Sequence, residues 1–364
     1  MLVLERDSEP SDKVCGDFVS VEAQQALGKL GLDLAGLGAA PIGSVRLLHR
    51  REAAAAALPF PALGLSRRTL DGALLDLAAR CGAVVRRGVR VQSLAPDASA
   101  LTLATAETLR PDALFLATGK HELRGAARRV EAPRSVGFKT YLSLAPAQTE
   151  ALRGAVELVL FEGGYAGLLL VEADAANLSL VVSTERLARA GGGWEGLLRS
   201  LQAECPALAR RLAGAKTLRP RPLAISRLPY GFIHAPGNAD PPRLYRLGDQ
   251  AAVIPSLTGD GIALALHTAR RGADAFLAGR SPREHHASLR RDLGWQMARA
   301  SVLHSLCLSG TLQPTVLRAC RTAPALLRVA AAWTRIAGES RTFAASPLPC
   351  GKRKAPPYRW ESVR

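Results

Sequence analysis

Between residues 248 and 266 the sequence GDQAAVIPSLTGDGIALAL sets Asp249 and Asp260 among Gly248, Gly259 and Gly261, with Pro255 in the loop. A leucine-bounded strand pattern, Leu244 to Leu247, leads in. An apolar helical stripe leads out through Ile262, Ala265, Leu266, Ala269, Ala273, Phe276 and Leu277. A strand, a glycine-flanked turn and a helix start would bring bare backbone N–H groups and the positive end of a helix to one point. Such a point attracts anionic or electron-rich ligand atoms. Asp249, at the strand end, would accept hydrogen bonds from hydroxyls. The competing interpretation is an ordinary strand–turn–helix connection that uses glycine for backbone freedom.

Other residues with chemical potential are scattered. Cys15 and Gly16 lie in Lys13-Val14-Cys15-Gly16, Tyr165 follows Gly163-Gly164, and Arg67 opens a helix pattern. The six cysteines, at 15, 81, 205, 307, 320 and 350, show no C-x-x-C pair, which argues against zinc or a disulfide framework and fits a reducing cytoplasm. The seven histidines are scattered apart from His285-His286, so no metal site is expected. No Ser–His–Asp or paired-carboxylate constellation is legible.

The elements that must position these residues are of two kinds. A short apolar strand is expected at Leu2-Val3-Leu4, and a parallel strand buried on both faces at Ala113 to Ala117, ending in Thr118-Gly119. Ser20 is a candidate cap for a helix with Ala23, Leu27 and Leu30 inward. Ser66-Arg67-Arg68 leads another, with Leu70, Leu74, Leu77, Ala78 and Cys81 on its apolar face. From about 130 to 235 the period becomes two. Val136, Phe138, Thr140, Leu142 and Leu144 alternate with Gly137, Lys139, Tyr141 and Ser143, which predicts antiparallel strands with one solvated face. Residues 283–343 form amphipathic helices, whose segment Pro324 to Val329 is open to either core packing or a membrane-surface face.

At 364 residues, 48% hydrophobic and 22% charged, the chain can bury a sizeable core. No 18-residue apolar run is present, and the N-terminus lacks a signal-peptide pattern. The net charge of +17 is spread along the chain and comes mostly from arginine, so nucleic acid is not expected as a partner. Weak attraction to anionic membranes is the more natural consequence.

Taken in order, these landmarks over residues 1 to about 280 resemble the FAD-dependent superfamily of geranylgeranyl reductases and aromatic-ring hydroxylases of the p-hydroxybenzoate hydroxylase type. The resemblance implies an α/β fold: a Rossmann-like, three-layer FAD/NAD(P)-binding domain with an inserted antiparallel sheet for substrate and C-terminal helices. It places Glu5, with Arg6 beside it, at the adenosine ribose, and Gly119 under the adenine side. It places Arg67, in preference to Arg68, at the FAD phosphates; a solvated helix-start arginine is the competing interpretation. Gly248, Asp249, Pro255, Gly259, Asp260 and Gly261 would hold the ribityl chain and flavin edge. Cys15 and Tyr165 would be the catalytic candidates, with Gly16, Gly163 and Gly164 in the substrate pocket. Cys15 as a small buried hydrophobe, and Gly163-Gly164-Tyr165 as a hairpin turn closed by a surface aromatic, stay open.

The implied domains are discontinuous: residues 1–44, 66–125 and 240–280 for FAD, and 45–65 and 126–239 for substrate. A helical region at 281–345 and a basic, disordered tail at 346–364 complete the chain. The family's first strand and G-x-G-x-x-G turn are not in the sequence, so we expect a start assigned too far downstream rather than a fragment or decayed copy. Losing two or three charge-assisted hydrogen bonds to the pyrophosphate would weaken binding by about 3–9 kcal/mol. The expected activity is FAD-dependent reduction of a C=C bond, or hydroxylation, of a hydrophobic isoprenoid, polyketide or aromatic molecule, with NAD(P)H as electron donor. The competing expectation is an FAD-deficient remnant that binds lipid or a partner without catalysis. A cytoplasmic protein, peripheral at the inner membrane face, is implied.

Overall fold

The computed structural model describes residues 1–128, 130, 135–237 and 240–336. The first part of the chain runs β1 (Leu2–Leu4), β2 (Phe18–Val19), α1 (Val21–Lys29), β3 (Ala40–His49), β4 (Glu52–Gly64) and α2 (Arg67–Arg80). It continues through β5 (Val84–Arg86), β6 (Val91–Leu94), β7 (Leu101–Leu103), β8 (Thr108–Leu109) and β9 (Leu114–Leu116). The middle contains β10 (Ser135–Ser143), α3 (Pro146–Leu152), β11 (Gly154–Phe161), β12 (Gly164–Leu170) and β13 (Ala176–Ser183). There follow α4 (Thr184–Arg189), α5 (Trp194–Glu204), α6 (Pro206–Arg211), β14 (Lys216–Thr217), β15 (Leu223–Ser226) and β16 (Phe232–Ile233). The last part is β17 (Leu244–Arg246), β18 (Ala252–Val253), α7 (Gly261–Leu277), α8 (Pro282–Leu308), α9 (Gln313–Thr322) and α10 (Ala325–Trp333).

The large sheet follows the order β14-β10-β13-β12-β11-β3-β4-β2, with β15 also on β10. Its pairings are antiparallel except for one seam, where β3 runs parallel to β11 and Val45 faces Val156. The alternation in β10 to β13 predicts a solvated face, but the structure buries both. One face packs on α5 and α6 through Leu197, Leu201 and Leu208. The other packs on the C-terminal helices through Cys307, Leu317, Cys320 and Leu327. Lys139 and Tyr141, expected outward, are therefore fully buried.

The Rossmann-like part is carried by short parallel pairs. β1 pairs with β5 from Leu2–Val84 to Leu4–Arg86, and β9 pairs with β17 from Leu114–Leu244 to Leu116–Arg246. Helices α1, α2 and α7 share a core of Val19, Leu27, Leu65, Leu70 and Ile262. Four expected inward residues face outward: Leu30 and Cys81 sit at the last turns of their helices, and Ala273 and Leu277 lie on α7, whose buried side is instead Ile262, Ala263, Leu264, Thr268, Gly272 and Ala275. Phe276 is also exposed, although its ring meets Phe115 edge-on at 5.6 Å.

The capping residues fall where the sequence places them, with different chemistry at each. Ser66 accepts from the Thr69 backbone N–H and caps α2. Ser20 precedes α1 but makes no side-chain cap bond. At α2 the cap is reinforced by buried Glu172, which accepts from Ser66 N at 2.9 Å and Thr69 Oγ1 at 2.7 Å. A carboxylate at a helix N-terminus is favourably placed against the helix dipole, and it ties α2 to the large sheet. The tail at 346–364 and the last residues of the expected helical region lie outside the described residues.

Candidate active site

A cavity of about 1700 Å³, its open mouth included, lies between the large sheet, the start of α7 and the C-terminal helices. The enclosed part of this space is about 250 Å³, just under the roughly 300–1,000 Å³ of common ligand pockets. The sheet contributes Val45, Leu47, Leu58, Phe60, Val156 and Leu158. The helices contribute Leu303, Cys307, Val316, Cys320 and Leu327. The remaining wall is the segment Val14–Phe18 together with Lys120, Asp249, Gly259, Gly261 and Ile262.

The turn before α7 is built for close approach. Gly259 is left-handed at φ +72, and a β-carbon there would lie 2.5 Å from the Phe18 ring. Gly261 opens the helix, and a β-carbon added there meets no atom within 4 Å. Pro255, at φ −52, leads into the short 3-10 turn Ser256–Thr258. Gly248, at φ +54, donates its N–H to Thr268 Oγ1 at 2.8 Å and fixes the strand end to α7. Asp260 does not cap α7 with its side chain; its buried carboxylate faces Arg335 at 2.6 Å. Burial pushes the Asp260 carboxyl up to about 7, and Arg335 opposes that rise.

Asp249 lines the cavity, but its carboxylate is shared with Lys120 at 2.9 Å and its carbonyl accepts from Arg128 at 2.8 Å. Burial works against the Lys120 charge, but Asp249, with Tyr230 and Cys15, holds the ammonium above its ordinary range. Gly119, at φ +62, lies outside the cavity and presents its carbonyl to Gln250 Nε2 at 2.8 Å.

The segment carrying Cys15 and Gly16 is anchored from behind. Asp17, at φ +56 and fully buried, accepts from Lys139 Nζ at 2.7 Å on each oxygen and from the Tyr141 hydroxyl at 2.5 Å. Burial pushes the Asp17 carboxyl up, and Lys139 and Tyr141 pull against it. Cys15 is half-buried, with its carbonyl held by Asn177 Nδ2 at 3.2 Å and its sulfur accepting from Asp17 N at 3.4 Å. Gly16 reaches the cavity with only Ser179 Oγ nearby.

A hydroxyl cluster forms the polar part of the substrate side. Tyr165 is buried rather than a surface aromatic. Its hydroxyl lies 2.8 Å from Ser256 Oγ and accepts from Leu257 N at 3.3 Å. Tyr230 donates to the same serine at 3.0 Å. His304 meets both rings edge-on, at 5.7 and 5.2 Å, and burial lowers it to about 4, so it is neutral at physiological pH. Burial raises both tyrosines, which keeps their protons on oxygen.

Six sequence-derived residues thus converge on the cavity: Cys15, Gly16, Tyr165, Asp249, Gly259 and Gly261. Gly163 and Gly164 do not line it. Gly163 turns the β11–β12 hairpin at φ +75, and Gly164 is packed so tightly that a β-carbon would meet Val181 O at 2.3 Å. Arg67 is also turned aside, with a bidentate pair to Asp71 at 2.7 and 2.8 Å on its own helix. Glu5 accepts from Asp7 N at 3.0 Å and Arg6 pairs with Asp7 at 3.2 Å, both outside the cavity. Asp17, Lys120, Tyr230, Ser256 and Arg335 belong to no motif in the sequence, and the strand period assigns Lys139 to solvent, because each gains its role from long-range partners.

The residues present suit a flavin at one end only. The open space over Gly261, the α7 N-terminus and Asp249 match a ring edge and a polyol chain. For the pyrophosphate, Arg67 is already paired, and among the described residues no glycine-rich turn connects the separate β1–β5 and β9–β17 pairs.

The architecture is that of FAD-binding flavoprotein monooxygenases and halogenases. The chain is similar to the flavin-dependent brominase Bmp2, at 13% identity and TM-score 0.74, over 95% of this chain and 90% of that one. It is similar to the myxobacterial chondrochloren halogenase CndH, described as a variant of FAD-dependent halogenases, at 16% identity and TM-score 0.70, over 97% and 88%. It is also similar to PqsL, a probable FAD-dependent monooxygenase from Pseudomonas aeruginosa, at 16% identity and TM-score 0.64, over 87% and 92%. No sequence-family profile and no curated protein matches the chain.

Proposed function

We propose that the chain is a flavin-dependent oxidoreductase that oxidises a hydrophobic small molecule by hydroxylation or halogenation. The observation that carries this is a single cavity in which the Gly259–Gly261 turn faces an apolar chamber containing the Tyr165–Ser256–Tyr230 hydroxyls. Bound FAD would supply the two-electron redox chemistry, with NAD(P)H as its source of electrons. Asp249 would hold a ribityl hydroxyl, and the first N–H groups of α7 would stabilise negative charge at the ring edge by up to ~2 kcal/mol. The sheet and helix walls would exclude water, and the hydroxyl cluster would orient one polar group of the substrate while the apolar lining holds its body. Cys15 would contact the ring or the substrate from the Asp17-anchored segment.

The Lys13-Val14-Cys15-Gly16 segment, of which Val14, Cys15 and Gly16 line the cavity, supports a second chemistry, reduction of a C=C bond. The test is to purify the chain, add FAD, and follow visible flavin absorbance and then NAD(P)H oxidation with candidate aromatic and isoprenoid substrates. Substrate-coupled oxygen uptake supports hydroxylation, and added halide dependence supports halogenation. Oxygen-independent turnover supports reduction. A protein that stays colourless after FAD addition overturns the flavin assignment and favours a non-catalytic binding protein.

A further inference from the structure

The helices that wall the cavity carry a second, outward face. Trp295, Arg299 and Val302 fall on one stripe of α8 at i, i+4 and i+7, and Leu326, Val329 and Trp333 on one stripe of α10 at i, i+3 and i+7. The stripes meet where the Arg299 guanidinium lies 5.6 Å from the Trp333 ring centroid. The apolar members are all exposed, Trp295 to 78% and Val329 to 60%. Two tryptophans and three aliphatic side chains on one surface are more than scattered single exposures.

Charge selects the occupant. Residues 293–336 contain five arginines and no lysine, aspartate or glutamate. Of these, Arg318, Arg321 and Arg328 are exposed, Arg321 pairing with Glu52 at 3.2 Å. A second copy docking on this face would set arginine against arginine, whereas an anionic lipid surface neutralises them. Indole rings beside aliphatic side chains suit the boundary between headgroups and acyl chains. Among the described residues no helix is long and apolar enough to cross a membrane.

We propose that the outer faces of α8 and α10, with the exposed arginines of α9 and α10, form a docking surface for an anionic membrane. The inner faces of the same helices line the cavity, so docking would bring the chamber wall to the lipid boundary where hydrophobic molecules partition. The docking itself stands whether or not the chain binds FAD.

The experiment is co-sedimentation of the full chain with vesicles of phosphatidylcholine alone and of phosphatidylcholine with phosphatidylglycerol. Wild type is expected to sediment with the anionic vesicles and to stay in solution with the neutral ones. Each arginine near such a surface is worth about fivefold in partition, so Arg318→Gln with Arg328→Gln should lower it about 25-fold. Trp295→Ser with Val329→Ser should lower it at least about tenfold through lost apolar insertion. Matching circular-dichroism melts would show that the variants are folded. Equal partition to both vesicles, no partition to either, or a concentration-dependent dimer that Val329→Asp dissolves would overturn the proposal.

Discussion

Arg335 Nη1 lies 2.6 Å from Asp260 Oδ1, which ion-pairs the segment after α10 to the residue that precedes α7. The same guanidinium sits 4.8 Å from the Phe60 ring centroid on β4 and donates to the Thr258 carbonyl. The C-terminal helices are thereby fastened to the glycine turn and to the cavity wall through one side chain.

This buried carboxylate gives stability a pH dependence of defined sign. Burial raises Asp260 to about 7, while an unfolded aspartate titrates near about 3.9. Between those values the folded state binds the proton and the unfolded state does not, so the stabilisation is complete below about pH 4 and is lost as pH rises toward 7. Three pKa units correspond to roughly 4 kcal/mol at most. Urea unfolding of Asp260→Asn across that range should show a flatter profile than wild type; an unchanged slope would place the titration elsewhere.

The two glycines of the turn should separate folding from cofactor binding. Gly259→Ala forces a β-carbon into a left-handed residue and onto Phe18, and should cost about 1–3 kcal/mol of stability. Gly261→Ala meets no protein atom and adds a better helix former, so its melt should be unchanged or slightly higher. Its methyl nonetheless fills the approach to the α7 N-terminus. FAD affinity, read by quenching of flavin fluorescence, should fall at least about tenfold in proportion to the lost contact.

Removing the partner of a buried charge is the expected way to loosen the Cys15 segment. Lys139→Met leaves Asp17 uncompensated and should destabilise the protein by about 3–5 kcal/mol. Adding Asp17→Asn removes the charge and keeps a side chain that tolerates positive φ, so the double variant should recover part of the loss. Equilibrium denaturation of the two variants decides this, and equal stability would show that the pair is not coupled.

Tyr165→Phe keeps the ring and deletes the hydroxyl that Ser256 and Leu257 N share. A stability loss of about 1–2 kcal/mol is expected from the stranded N–H. If the cluster orients substrate, KM should rise with little change in FAD affinity. A loss of FAD binding would instead mean that this tyrosine faces the ring.

Local rules made much of the fold readable, while the site depended on longer range. Glycine placement and apolar period identified α7 and its turn, and Ser66 marked the start of α2 because cap chemistry is local. Strand alternation marked β10 but assigned Lys139 and Tyr141 to solvent, because it reports pleat and not what covers each face. Likewise, Gly163-Gly164 read as a cavity lining, but tight packing against Val181 explains those glycines better. Arg67 looked available for phosphate because the pattern did not weigh Asp71 one turn onward. Arg335 is 75 residues beyond Asp260 in the chain, so no motif spacing could pair them.

The parallel seam between β3 and β11 joins residues 42–49 to residues 154–160. The sheet over the cavity is consequently not a cassette that the chain enters once and leaves once. It is stitched from material on both sides of α2 and β5 to β9, and neither piece completes the seam alone. Grafting a relative's substrate chamber onto this scaffold would require exchanging both pieces together, matched in register. For the same reason, the chamber cannot close during synthesis until β11 has emerged and met a strand made more than a hundred residues earlier.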